Sequence, residues 1–168
     1  MPDTKAPATS LSEALLLVDR ALLTIPQLTV FGVGVSYRYH RDGNEVVAQQ
    51  TKEQRGTLYK EGSLRMVALC ADWIKARLLR KSFDPRISSY GLKHLVEEFR
   101  MGRGDPDPYI HNGCFIAAAV GLGFPFTITG PNAVFEFRSA GVAHVRYLIS
   151  PRSAVSFRVL WAGKSARY

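Results

Sequence analysis

Residues 109–124 read YIHNGCFIAAAVGLGF, an apolar run entered through His-Asn-Gly-Cys and left through Gly-Leu-Gly. Ala117, Ala118 and Ala119 remove side-chain bulk, so another backbone can approach closely, while Phe115, Ile116 and Val120 supply apolar contact surface. A helix shorter than about 12 residues is marginal by itself in water. A helix over 113–120 must therefore be held by its neighbours. Asn112 is placed to cap it, and Gly121 or Gly123 to end it in the left-handed conformation.

The neighbours are legible on both sides. Before it, SYGLKHLVEEFR can start at a Ser88 or Ser89 cap and carries Leu92, Val96 and Phe99 on one side of a helix. The loop MGRGDPDP separates the two. After it, PFTITGPNAVFEFR predicts a hairpin, with Phe126 and Ile128 facing one way, Phe135 and Phe137 on the second strand, and GPN turning between them. Further upstream, Leu64, Val67, Leu69, Ala71, Ile74 and Leu78 recur at helical steps over 62–81, with basic residues interleaved.

Basic helix, second helix, short third helix and hairpin is the order of a winged helix-turn-helix unit. In such units the third helix is offered to the DNA groove. Here residues 113–120 hold no Arg, Lys, Asn or Gln to read base edges, and the preceding loop exceeds the usual three- or four-residue turn. The helical trio is equally compatible with a plain core.

At the N-terminal end, residues 1–9 hold Pro2 and Pro7 among small polar residues and are expected to be disordered. Ser10 and Glu13 have capping-box spacing, a helix follows through Leu23, and Pro26 stops it. Val33, Val35, Tyr37 and Tyr39 alternate as a strand, RDGN at 41–44 signals a turn, and EVVAQ either returns as a strand or begins a helix. The expectation is one α+β domain over 10–140. It has a helical core, a helix–helix–hairpin (winged-helix-like) unit and additional short antiparallel strands. Residues 141–168 form a basic C-terminal strand or tail segment in which Val155, Phe157, Val159 and Trp161 share a face.

Charge narrows the function classes. The net charge is +8, and residues 51–100 carry 11 Lys and Arg against 6 Asp and Glu, while 151–168 carry 4 against none. This distribution suits a surface facing phosphate or another acidic partner. The candidate contact residues are Lys75, Arg77, Arg80, Lys81, Arg86, Lys93, Arg100 and Arg103. Contacts of this kind position a protein on a nucleic-acid backbone without reading sequence. No stretch reaches the ~18 uninterrupted apolar residues of a membrane helix, and MPDTKAPATS has no signal-peptide pattern. With only Cys70 and Cys114, no disulfide framework exists, which fits a reducing cytoplasm.

For chemistry, Cys114 falls in the first turn of its helix, where free N–H groups stabilise a thiolate, with His111 and His94 near enough in sequence for a Cys–His pair. The competing reading is a small buried hydrophobe. The histidines and cysteines show no CxxC or HxxxH spacing, so no metal or other cofactor is expected. Glu97 and Glu98 are adjacent on a helix and point apart. FGVGVSY lacks the third glycine of a dinucleotide loop. Tyr37, Tyr39, Tyr90 and Tyr109 are candidates to stack on bases.

The segments SSYGLKHLVEEF and YIHNGCFIAAAVGLGF together resemble small uncharacterised proteins of proteobacterial mobile elements, which share the Ser-Tyr-Gly-Leu-Lys-His helix, Asn-Gly, and Phe-Ile-Ala-Ala-Ala ending in Leu-Gly-Phe. The resemblance covers about residues 85–125 and supplies no activity. It implies a cargo-gene setting, where DNA-binding accessory proteins and inhibitors of host defence both occur. Three readings follow: a non-catalytic nucleic-acid-contacting protein, an inhibitor that holds an acidic protein partner, and an enzyme using Cys114.

Overall fold

The computed structural model describes residues 7–34, 44–78 and 87–135. Its elements are helix α1 (Leu11–Thr24), a hairpin of β1 (Leu28–Thr29) and β2 (Gly32–Val33), helix α2 (Asn44–Thr57), helix α3 (Glu61–Trp73) running into a π-helical turn Ile74–Leu78, helix α4 (Ser89–Met101), helix α5 (Asn112–Gly121), and a second hairpin of β3 (Phe126–Thr129) and β4 (Asn132–Phe135). Both strand pairs are antiparallel. The fold is α+β, as its residues imply.

The short apolar helix is the centre of the molecule. All ten residues of α5 are buried, and α1 and α3 pack along it, with α4 and both hairpins also in contact with it. Its small residues set how near the neighbours come. A Cβ at Gly121 would sit 2.5 Å from the Leu17 carbonyl oxygen, and one at Gly113 only 1.9 Å from that of Thr29. The Gly113 N–H donates to the Val30 carbonyl at 2.9 Å, so the β1–β2 turn supplies the acceptor that the first turn of α5 lacks. Phe115 then meets Trp73 of α3 edge-on at 6.4 Å and Phe135 of β4 at 6.1 Å, so one ring joins three elements.

α1 begins as its sequence demands. The Ser10 hydroxyl accepts from the Glu13 N–H at 3.2 Å, and the Ser10 N–H donates to the Glu13 carboxylate at 2.8 Å. Ala14, Leu17, Val18 and Ala21 face the core, and the helix ends just before Pro26, whose ring disfavours helical backbone at the preceding residue. Part of the expected disordered leader is tied down. The Thr9 hydroxyl donates to Asp72 of α3 at 2.6 Å, the Ala8 N–H donates to the same carboxylate, and Thr9 is buried.

Several expectations change. EVVAQ belongs to α2, so the helical alternative holds there and the return strand does not. The strand foreseen over 33–39 is represented among the described residues only by Gly32–Val33; Val35, Tyr37, Tyr39 and residues 41–43 of RDGN lie outside them, and Asn44 begins α2. The cap of α5 is His111, and Asn112 is the first helical residue. The Asn112 side chain donates instead to Pro131 O at 3.3 Å and Asn132 Oδ1 at 3.1 Å, fastening α5 to the turn of the second hairpin. Ser88 sits at the cap of α4 without a side-chain bond, while the buried Ser89 hydroxyl accepts the Ala133 N–H at 3.1 Å. Gly123, at φ +86°, ends α5 as expected.

α4, α5 and the β3–β4 hairpin keep the helix–helix–hairpin order. With α5 buried along its whole length, however, that helix presents no face to a groove. Whatever this protein touches, it touches with other residues.

Candidate functional site

Four positions of α4, Tyr90, Lys93, His94 and Glu97, follow the i, i+3, i+4, i+7 spacing of one helix face. The loop after α4 folds back over that face. The Arg100 guanidinium holds it, donating through Nε to Asp105 at 2.9 Å and through Nη1 to the Tyr109 carbonyl at 3.2 Å. The return brings the Ile110 N–H to 2.9 Å from Glu97 Oε1 and lays Tyr109 against Lys93.

Glu97 is the hub. Oε1 accepts from Lys93 Nζ at 2.8 Å as well as from Ile110, and Oε2 lies 2.6 Å from His94 Nδ1. Burial would raise its carboxyl, but the hydrogen bonds from Lys93, Ile110 and His94 outweigh burial and hold it below its ordinary value. Lys93 is only 3% exposed. Its ammonium lies 5.0 Å from the ring centres of both Tyr90 and Tyr109, so one cation braces two tyrosines.

The rings continue in both directions. His94 meets Tyr90 edge-on at 4.6 Å, His111 meets Tyr109 at 4.9 Å, and Phe31, in the β1–β2 turn, meets His111 at 5.6 Å. The resulting surface band runs Phe31–His111–Tyr109–Lys93–Tyr90–His94. Phe31, Tyr90 and Tyr109 are 58%, 52% and 48% exposed. Burial, with the Lys93 charge adding to it, lowers the His111 pKa from its ordinary 6.5, so the imidazole is neutral at pH 7. Its buried Nδ1 has no hydrogen-bond partner among the described residues.

Among the described residues only part of the expected basic face is free. Lys93 turns inward to Glu97, and Arg100 is held by Asp105 with its side chain 13% exposed, so neither is free to meet a phosphate. Lys75 is half-buried and donates to the Thr9 hydroxyl at 3.0 Å. Among the candidates with described side chains Arg103 alone is exposed, its guanidinium 5.5 Å from the Phe99 ring centre. The side chain of Arg77 and all of Arg80, Lys81 and Arg86 lie outside the described residues.

The reactive-thiol reading is corrected. Cys114 is fully buried, and burial pushes its thiol up to about 12, only partly offset by a hydrogen bond with Ser63. Cys70 is likewise buried and raised by burial. Both stay protonated and unreactive at neutral pH. Among the described residues, no group of three His, Cys, Asp or Glu side chains is arranged to hold a metal, and no helix is long and apolar enough to cross a membrane. A cleft of about 440 Å³ opens beside Arg100, Tyr109 and Arg65, but Asp105 and Glu61 already pair with its two arginines.

No family model, curated protein or solved structure matches the chain. The band was foreseen only in part: Tyr90 and Tyr109 stood as stacking candidates, whereas the Lys93–Glu97 brace and Phe31 did not. The one-face spacing of 90, 93, 94 and 97 was the signal available for the brace.

Proposed function

We propose that this chain is a non-catalytic accessory protein that contacts nucleic acid, the DNA of a mobile element, through the aromatic band and the basic stretch that precedes α4 in sequence. The observation that carries the reading is the band itself: three half-exposed aromatic side chains, of which Tyr90 and Tyr109 are braced by a buried, neutralised ion pair. Rings exposed at that cost in apolar area are suited to a partner with flat apolar faces and a polar edge. The net charge of +8 supplies attraction to phosphate, and residues 75–86 hold five Lys and Arg against one Asp.

Fluorescence anisotropy with labelled DNA, duplex and single-stranded, tests the reading. Binding is expected at 50 mM salt and should weaken steeply by 200 mM, about 50-fold if four phosphates of a single strand are engaged. Absence of binding to either form at low salt contradicts it.

A protein-binding inhibitor is the second reading, favoured by one observation. Leu16 and Leu23 of α1, one heptad apart, are 54% and 83% exposed. In that case the contact surface is α1, and DNA does not compete with the partner.

A further inference from the structure

We infer that the aromatic band takes single-stranded DNA, whose unpaired bases stack on the solvent-facing sides of Tyr90 and Tyr109. The inference rests on the nucleic-acid reading above and names its substrate class. In a duplex, base faces are covered by the next pair, and a protein reads edges in the grooves with guanidinium, amide or hydroxyl groups. Here the helix placed where a recognition helix would lie is wholly buried and apolar. What the surface offers is ring faces. Each tyrosine turns one face to the Lys93 ammonium at 5.0 Å and has an adjoining histidine edge-on, yet stays about half exposed. Phe31 extends the row on the far side of His111.

Lys93 acts as a positioning residue in this scheme. Glu97 neutralises it, so it contributes little attraction to phosphate and instead fixes two rings relative to one another. Two side chains already immobilised lose little conformational freedom when bases stack on them, which favours binding. Charge complementarity comes from elsewhere. Among the described residues the exposed Arg103 follows the end of α4, and the net charge of +8 adds longer-range attraction to phosphate. A flexible strand with unstacked bases can keep its phosphates in that positive field while its bases reach the rings, the usual combination in single-strand binding.

The test uses the full chain and labelled oligothymidylate of about 12 nucleotides, compared with a duplex of the same length, an abasic strand and oligouridylate. Oligothymidylate is expected to bind at least 10-fold tighter than the duplex or the abasic strand. Y90L and Y109L should each weaken it about 5- to 150-fold, with little change in duplex binding, whereas Y90F and Y109F stay near the parent. Circular dichroism and urea midpoints of the variants separate lost stacking from lost fold. The abasic strand asks the same question of the unaltered protein. Equal binding of all strands, with the leucine variants behaving as the parent, overturns the inference while leaving nucleic-acid contact standing. Oligouridylate bound 10-fold tighter than oligothymidylate overturns the assignment to DNA. No binding of any strand overturns both.

Discussion

Gly113→Ala is expected to lower the unfolding free energy by about 3 kcal/mol or more, or to leave the chain insoluble. The added Cβ would lie 1.9 Å from the Thr29 carbonyl oxygen and 2.7 Å from the carbonyl carbon and oxygen of Val30. These are backbone atoms, which cannot swing aside as a side-chain end can. Retreat of Val30 would also break its 2.9 Å bond from the Gly113 N–H and leave the first turn of α5 without that acceptor. Overpacking of a tight core typically costs about 1–3 kcal/mol, the lost buried hydrogen bond adds to it, and a domain has only about 5–15 kcal/mol to lose. Gly62→Ala is the control. Its Cβ would meet nothing within 4 Å, and α3 should be unchanged or stabilised by up to ~1 kcal/mol. Urea midpoints of the two variants should diverge sharply. A G113A midpoint equal to the parent's would mean that α5 is not seated against the β1–β2 turn.

Glu97→Ala is expected to cost about 3–5 kcal/mol, because it strands the Lys93 ammonium, 3% exposed, without its carboxylate. The Ile110 N–H loses its acceptor at the same time, which frees the loop that carries Tyr109. The double change K93M/E97Q should be far less damaging than E97A, since it removes the charge and keeps an acceptor near Ile110. A double-variant midpoint at or below that of E97A would show that the ion pair is not the brace described. The same groups set the response to acid. His111 has a lowered pKa, so its contribution is present above 6.5 and is lost as the pH falls through its folded value. Glu97 is lowered from 4.5, so its share persists to more acid conditions and is lost only as the pH falls through its own folded value. Acid should therefore loosen the band in two stages, His111 first, with the Glu97 part of the second stage missing from E97A.

Much of the framework was legible in local sequence, because its causes are local. The Ser10–Glu13 box, the helical spacing of Leu92 and Val96, the left-handed Gly123 and the turn at 130–132 each depend on a few neighbouring residues. The burial of α5 followed from its lack of polar residues. EVVAQ was ambiguous because two adjacent valines among polar residues fit neither period firmly, and α2 is decided by the rest of its length. The pairing of two of the candidate cations was hidden for a different reason. Counting charges does not reveal pairing, and Lys93 and Arg100 are consumed by Glu97 and by Asp105, the latter delivered by a loop that folds back on its own helix. The band joins Phe31, Tyr90 and Tyr109 from three separated segments, and only the closed fold brings them together.

The most direct test of the account is photocrosslinking of the full chain to a single-stranded oligonucleotide carrying 5-iodouracil, with the linked peptides identified by mass spectrometry. Adducts on Tyr90 and Tyr109, with Phe31 as the next site, are the expected result. Adducts confined to peptides outside the band, in a sample where the strand is demonstrably bound, would contradict it.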